Sequence, residues 1–387
     1  MNEKPVKICA ISTISKSMSW FMTESLRNLA KNGYEVTLVC DMDEEFIENN
    51  NDFATCYPLK MKRGVSVSDV FRCTSQLRKL FKKEKFDVIY YMSPNAAFYS
   101  SLAGKQAKIK YRVYSQCGIR YVTLKGIKRR IFKFIEKLTC SFSTHVRAQS
   151  PLNMQFVIDE KVCSADKISV IGIGGTVGVD LSLCDSIDKV AVNKRLRERY
   201  NIPQDAFVYG YVGRVNKDKG SAELLKAFDI VRQEKKNVRL ILVGMLDKTN
   251  GISDDLLEKA KNDSDIIFTG NVPENQVYEY MATFDTLVHP TYREGFGKVI
   301  QEGMCMRLPI ITTDVLGPKE VIEDGISGAL VPAKDEKALA KKMSEFYDNR
   351  ALRESFAAAG RERAEKYFDR PIMLKNNLDD MNNIVGK

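Results

Sequence analysis

Two glutamates, Glu294 and Glu302, flank a glycine-rich turn in the run Tyr292-Arg293-Glu294-Gly295-Phe296-Gly297-Lys298-Val299-Ile300-Gln301-Glu302. Carboxylates at this spacing around a helix start suit a ligand that carries both hydroxyl groups and negative charge. Gly295 and Gly297 let the backbone come close to such a ligand, and the first free N–H groups of the helix, around Lys298 and Val299, point outward with partial positive charge. Glu302, one or two turns into that helix, is placed to accept hydrogen bonds from vicinal hydroxyls such as those of a ribose. A second run, Gly213-Arg214-Val215-Asn216-Lys217-Asp218-Lys219-Gly220, supplies Arg214 and Lys219, two cations suited to neutralising a leaving diphosphate. Lys217 reads as a solvated loop lysine.

Such groups work only if strands and helices hold them at one end of a sheet. Strand-like and helix-like runs alternate along the whole chain, the pattern of parallel sheets covered by helices. In the first half we expect strands near 6–11, 35–40, 87–92, 111–115, 144–149 and 168–171. In the second half we expect them near 207–212, 239–243, 266–269, 286–289, 309–312 and 329–331. The periodicity breaks between Asp180 and Asp205, so the expected domains are 1–190 and 204–370. The helical tail 371–387 is placed to pack back on the first domain. Open parallel sheets bind ligands outside the carboxyl ends of their strands, where the runs at 213–220 and 290–302 both fall. His289, at a strand end, and His145 read as packed residues, with His289 keeping a chance of lining the site.

The stretch from Ala282 to Pro309 resembles the Glu-x7-Glu motif region of the family 4 glycosyltransferases of the GT-B fold. The likeness continues through Pro309-Ile310-Ile311-Thr312-Thr313-Asp314, Gly317-Pro318, Glu320 to Gly325 and Gly328 to Pro332. The resemblance implies an α/β architecture of two Rossmann-like domains facing a cleft. It also implies retaining, metal-independent transfer of a sugar from a nucleotide-diphosphate donor to a saccharide acceptor. Carried onto this chain, Glu294, Arg214 and Lys219 are the expected catalytic residues, with Glu302, Phe296, Gly297, Lys298, Val299 and Ser17 on the donor. Relatives place a glycine pair in the first loop, where this chain has Ser12 to Ser19; Ser17 is then a donor contact or a helix cap. They also place an acceptor-side loop at Gln116 to Tyr121, which points to Gly118 and Arg120. Family frequency alone favours UDP with an N-acetylated hexosamine or a hexose. Neither metal nor cofactor is expected: Asp41-Met42-Asp43 looks like a metal-holding Asp-x-Asp, but it follows a Rossmann strand, where acids cap the next helix.

The charge is concentrated in one segment. Among the 387 residues, with net charge +10, residues 105–137 hold eleven Lys or Arg against the single acid Glu136, an excess equal to the whole net charge. Read as a helix from Leu124 to Leu138, this segment gathers Leu124, Ile127, Ile131, Phe134, Ile135 and Leu138 on one face and Lys125, Arg129, Lys133 and Lys137 opposite. That pattern fits either a core helix with a charged back or a surface lying against anionic lipid, and we assign Lys125, Arg129 and Lys133 to the second use. No RNA- or DNA-binding signature accompanies it, so nucleic acid is not an expected partner. Nine cysteines without CxxC spacing and two histidines argue against disulfides and zinc and for a reducing cytoplasm. No run reaches the ~18 apolar residues of a membrane span, so contact at the inner face of the plasma membrane would be peripheral, with a polyprenyl-diphosphate-linked saccharide as the fitting acceptor. Two other readings are a nucleotide-sugar epimerase of the same fold, and a basic membrane or nucleic-acid binding module that would leave the second domain idle.

Overall fold

Runs such as Ile8-Cys9-Ala10-Ile11 and Leu240-Ile241-Leu242-Val243 are apolar on both alternating faces, which suits strands buried between two helical layers. The computed structural model, which describes residues 4–62, 67–247 and 250–387, places them at the centres of two parallel sheets. The first sheet contains β1 (Val6–Ile14), β2 (Tyr34–Asp41), β3 (Ala54–Pro58), β4 (Val88–Tyr91), β5 (Tyr111–Gln116), β6 (His145–Ala148) and β7 (Ile168–Val170). Its seven strands run in the order β3-β2-β1-β4-β5-β6-β7. The second contains β8 (Phe207–Val212), β9 (Val238–Val243), β10 (Ile266–Gly270), β11 (Thr286–His289), β12 (Ile310–Thr313) and β13 (Ala329–Val331), six strands in the order β10-β9-β8-β11-β12-β13. Each order reverses beside its first strand, at β1/β4 and at β8/β11, and such a reversal opens a crevice at the strands' carboxyl ends.

Alternate residues of the first sheet feed two cores. Cys9, Ile11, Ile89 and Tyr91 pack on one face, Ile8, Ala10, Val88 and Val113 on the other. The second sheet is sealed by Leu224, Phe228, Met343, Phe346 and their neighbours. Strand β3 has no counterpart among the expected strands. It is an edge strand, mostly exposed and ending on a proline, so it lacks the apolar continuity that marks the others.

The chain forms two units, Met1–Val177 with Pro371–Lys387, and Gly178–Arg370. This corrects the expected boundary at 190. The segment after Gly178 is bound into the second unit: Asp180 pairs with Arg370 at 3.2 Å, and the helix Lys189–Arg199 sends Asn193 to the carbonyl of Ala282 at 3.1 Å. Cys184 forms a disulfide with Cys305, which corrects the expectation that no cysteine would pair. The two lie 121 residues apart and meet only because the helices Leu181–Asp185 and Lys298–Cys305 bring their ends together, so no local spacing betrays them. Cysteine content therefore carries no argument about compartment. Among the described residues, no helix is long and apolar enough to cross a membrane.

The helix Arg370–Val385 seats Met381 and Ile384 in the core of the first unit. Asp380 on the same helix meets Arg147, the two side chains 2.8 Å apart and only 22% and 10% exposed. Replacing Asp380 with Ala leaves a buried guanidinium without its counter-charge. The expected cost is about 3 kcal/mol, read as a lowered urea midpoint for the first unit's transition; an unchanged midpoint would count against the pair as a structural tie.

Candidate functional site

The loops after β8 and β11 emerge side by side at the switch point of the second sheet. They are joined along their length. The Tyr292 N–H donates to the Asp218 carbonyl at 2.8 Å, and the Thr291 hydroxyl donates to the same oxygen at 3.3 Å. The Arg293 guanidinium meets the Asp218 carboxylate at 2.9 Å. Lys219 is ion-paired with Glu294. Gly220 takes φ +68°, and a Cβ there would lie 1.9 Å from the carbonyl oxygen of Pro290. Only glycine allows the two loops this approach.

Within the first loop, Asn216 organises the turn. Its side-chain oxygen accepts from the Lys219 N–H at 3.0 Å, capping the short 3-10 turn Lys217–Lys219. Its amide group donates to Asp247 at 3.1 Å. Arg214 reaches the same carboxylate at 2.7 Å while its side chain stays 56% exposed, so its charge is held in place yet open to a ligand. The Tyr211 hydroxyl donates to the Arg214 carbonyl at 2.7 Å.

The second loop ends in the helix Lys298–Cys305, with Gly297 before it at φ +110° and no side-chain cap. The first N–H groups of the helix thus have no side-chain cap among the described residues. Burial alone would raise the pKa of Glu294. The Lys219 charge, reinforced by the nearby His289, outweighs it and holds the carboxyl well below the usual carboxylate range. Glu294 is ionised at every ordinary pH. Glu302 is buried on the helix, and burial pushes its carboxyl up despite the Lys298 charge. Lys298 stands between two acids, 2.6 Å from Glu274 and 3.6 Å from Glu302. The site therefore offers one fixed anion for hydroxyls, one buried carboxyl, and cations at its rim.

The expected residues do not all fall together. Glu294, Glu302, Arg214, Lys219, Gly297, Lys298 and Val299 all sit in these two connected loops and the helix that follows. Phe296 does not present its ring to a ligand, because the ring is buried edge-on against Phe368 at 5.8 Å; only its backbone remains available. Ser17 belongs to the first unit, where β1 runs directly into the helix Ser15–Phe21 without an intervening loop, and no side chain caps that helix. Gly118 adopts φ +139° after β5, and Arg120 opens the 3-10 turn Arg120–Thr123 with its guanidinium 4.3 Å from the Phe132 ring centre. Asp43 caps the helix Glu44–Glu48 by accepting from the Phe46 N–H at 2.9 Å. Sequence reasoning passed over Asp218, Asn216, Asp247 and Glu274. The first two lie inside the run already singled out; Asp247, after β9, and Glu274, which opens the helix Glu274–Met281, are distant in sequence and carry no local signal.

The basic segment departs most from its sequence pattern. The helix Gly126–Phe142 buries Glu136, Thr139 and Cys140, while Ile127, Ile131 and Phe134 are 68%, 47% and 61% exposed. Its apolar stripe is not the core face. Arg129 and Lys133 both turn to Glu160, at 2.9 and 2.5 Å, and are half-buried, so of the three lysine and arginine residues expected at a surface only Lys125 is exposed. Lys128, Arg130 and Lys137 are exposed beside the apolar stripe instead.

The sequence matches the family described as glycosyl transferases group 1 over residues 192–363 and glycosyl transferase 4-like over residues 7–150. It is 31% identical over 386 residues to the capsular polysaccharide biosynthesis glycosyltransferase CapM of Staphylococcus aureus, covering 99% of this chain and 98% of that protein. The fold is shared with a glycosyltransferase of Rickettsia africae, at TM-score 0.78 and 19% identity over 98% of this chain and 99% of that one. It is shared also with HepE of Anabaena, solved in complex with UDP-glucose, at TM-score 0.79 and 17% identity over 97% and 99% of the two chains.

Gly220→Ala should destabilise the second unit by about 1–3 kcal/mol more than Gly325→Ala. Both glycines have positive φ, +68° and +74°, but a Cβ at Gly325 meets nothing within 4 Å. Chemical denaturation of the two variants checks this, and equal losses would mean that the approach of Gly220 to Pro290 is not tight.

Proposed function

For a chain that belongs to the group 1 glycosyltransferases, we infer a retaining transfer of a hexosyl or N-acetylhexosaminyl group from a nucleoside-diphosphate donor, with UDP as the favoured nucleotide, to a saccharide acceptor in surface polysaccharide assembly. The observation that carries this reading is the joining of the loops at 213–220 and 290–297, which gathers Arg214, Lys219, an uncapped helix start and Glu294 at the carboxyl ends of the two central strands. The capsule role of CapM and the UDP-glucose bound to HepE support the donor class and the setting.

In this reading Arg214, Lys219 and the first N–H groups at Lys298 and Val299 stabilise the charge that develops on the leaving diphosphate. Fixed cations do there what a divalent ion does in other enzymes, so the reaction proceeds without metal. Glu294, ionised throughout, orients hydroxyls of the donor sugar. Glu302 accepts from the ribose hydroxyls. The acceptor hydroxyl attacks the face that the diphosphate leaves. Gly118 and Arg120 of the first unit are assigned to the acceptor, and Ser17 is kept as a further donor contact.

Lys219→Ala and Glu294→Ala should each lower turnover by ~10² or more, the usual loss when one preorganised electrostatic partner is removed. Kinetics with a panel of nucleotide sugars, with and without EDTA, checks this; near-normal rates in both variants would remove these assignments. Acid should also weaken donor binding through Glu302. Its carboxyl is raised, so it takes up a proton, losing its charge and turning one of its two accepting oxygens into a donor, at a higher pH than an ordinary carboxylate of pKa about 4.3. UDP affinity followed from about pH 8 down to about pH 5 should fall in the native enzyme and stay flatter in Glu302→Gln.

The exposed stripe of Ile127, Ile131 and Phe134, bordered by Lys125, Lys128, Arg130 and Lys137, suits an anionic lipid surface, where each basic side chain contributes about 1 kcal/mol. A lipid-linked acceptor fits such a placement. The protein should co-sediment with vesicles containing anionic phospholipid at low salt, and replacing Lys128, Arg130 and Lys137 with Gln should release it. Binding that survives these replacements, or no binding at all, overturns the membrane assignment.

A further inference from the structure

His289 ends β11 with its side chain 1% exposed. Its ring lies nearly parallel to that of Tyr211, 6.2 Å between centres, and its carbonyl is held by the Thr312 hydroxyl at 2.8 Å. Neither ring nitrogen has a hydrogen-bonding partner among the described residues. Buried polar atoms left in that state are rare and costly. Nε2 stands 3.6 Å from Oε2 of Glu294, short of a hydrogen bond, and that same carboxylate oxygen is already taken by Lys219.

The arrangement matters because Lys219 has two claims on it. It neutralises Glu294. If the donor reading above is right, on which this inference rests, Lys219 must turn to the diphosphate when the donor binds. Glu294, now only 25% exposed, would then lose its cation at the moment the donor covers it and removes its remaining water. An uncompensated carboxylate in such a place is strongly unfavourable.

We propose that His289 is a positioning residue that takes over the Glu294 carboxylate through an Nε2–H hydrogen bond when a bound nucleoside diphosphate draws Lys219 away. Closing 3.6 Å to an ordinary hydrogen-bond length needs a shift of only about 0.7 Å. The groups facing the ring are Tyr211 from β8, Lys219 from the turn after it, and Glu294 from its own loop. Burial, with Lys219 adding to it, lowers the imidazole pKa against the pull of Glu294, which favours the neutral ring, whose N–H is available without a proton being taken up. The stacked Tyr211 fixes the ring plane, and its hydroxyl secures Arg214, so the two halves of the diphosphate grip share one support.

The test is a double-mutant cycle on UDP affinity, measured by calorimetry on the full-length protein. His289→Phe should weaken UDP binding about 10-fold in the native background, because Glu294 then keeps its hold on Lys219. In Glu294→Gln, where Lys219 is already released, adding His289→Phe should change the affinity less than about 2-fold. His289→Gln, which restores an N–H donor near the Nε2 position, should recover most of the loss. An unchanged affinity in His289→Phe overturns the hand-over, as does an equal loss in both backgrounds or a failure of Gln to rescue. If the native protein binds none of UDP, GDP and ADP, the donor reading itself falls and the hand-over with it, an outcome distinct from the others.

Discussion

The contact between Lys219 and Glu294 ties the chemistry of the second unit to its fold. A carboxylate at the end of one strand-to-helix loop and an ammonium at the end of another hold each other where a ligand would need both. The neighbouring bonds through Asp218 and the glycine at 220 leave neither loop free to drift. Electrostatic preorganisation of this kind works because the groups are already oriented before charge develops. The same pairing makes the site self-neutralising, each of its partly buried ions meeting a counter-charge within the protein.

Much of this was readable from residue types alone. The central strands announce themselves because burial on both faces demands unbroken apolar runs, and the two site loops because glycine, acid and base recur at a strand end. What escaped detection lacked a local cause. Strand β3 is held by one neighbour at the sheet edge and needs no apolar run. Cys184 and Cys305 meet through helix packing, Asp247 and Glu274 arrive from distant parts of the chain, and the domain boundary is set by contacts made after Gly178 rather than by a break in periodicity. The role of the Phe296 ring was not legible for the opposite reason: its place in a motif drew notice to a ligand, while the ring itself packs against Phe368 and leaves only its backbone exposed to one.

The basic helix shows how a correct pattern leads to an incomplete conclusion. Its apolar residues do form a stripe, but the face that enters the core is the one carrying Glu136, Thr139 and Cys140. Glu136 is acceptable there because Tyr114 and Gln116 donate to it at 2.9 and 2.6 Å. A buried carboxylate with two donors replaces the packing that Ile127, Ile131 and Phe134 would have given. Those three side chains are left on the outside, beside Lys125, Lys128, Arg130 and Lys137.

The return of the helix Arg370–Val385 to the first unit also bears on how the protein is made. Synthesis delivers Val6 to Val177 before the second unit, yet the seats for Met381 and Ile384 and the counter-charge for Arg147 stay unfilled until the helix Arg370–Val385 has followed that unit out of the ribosome. The first unit must therefore wait, partly assembled and with apolar surface uncovered, while the second is still being translated, the reverse of the usual order in which the N-terminal domain finishes first. Chaperone dependence during expression would then fall on the half of the molecule that is synthesised first.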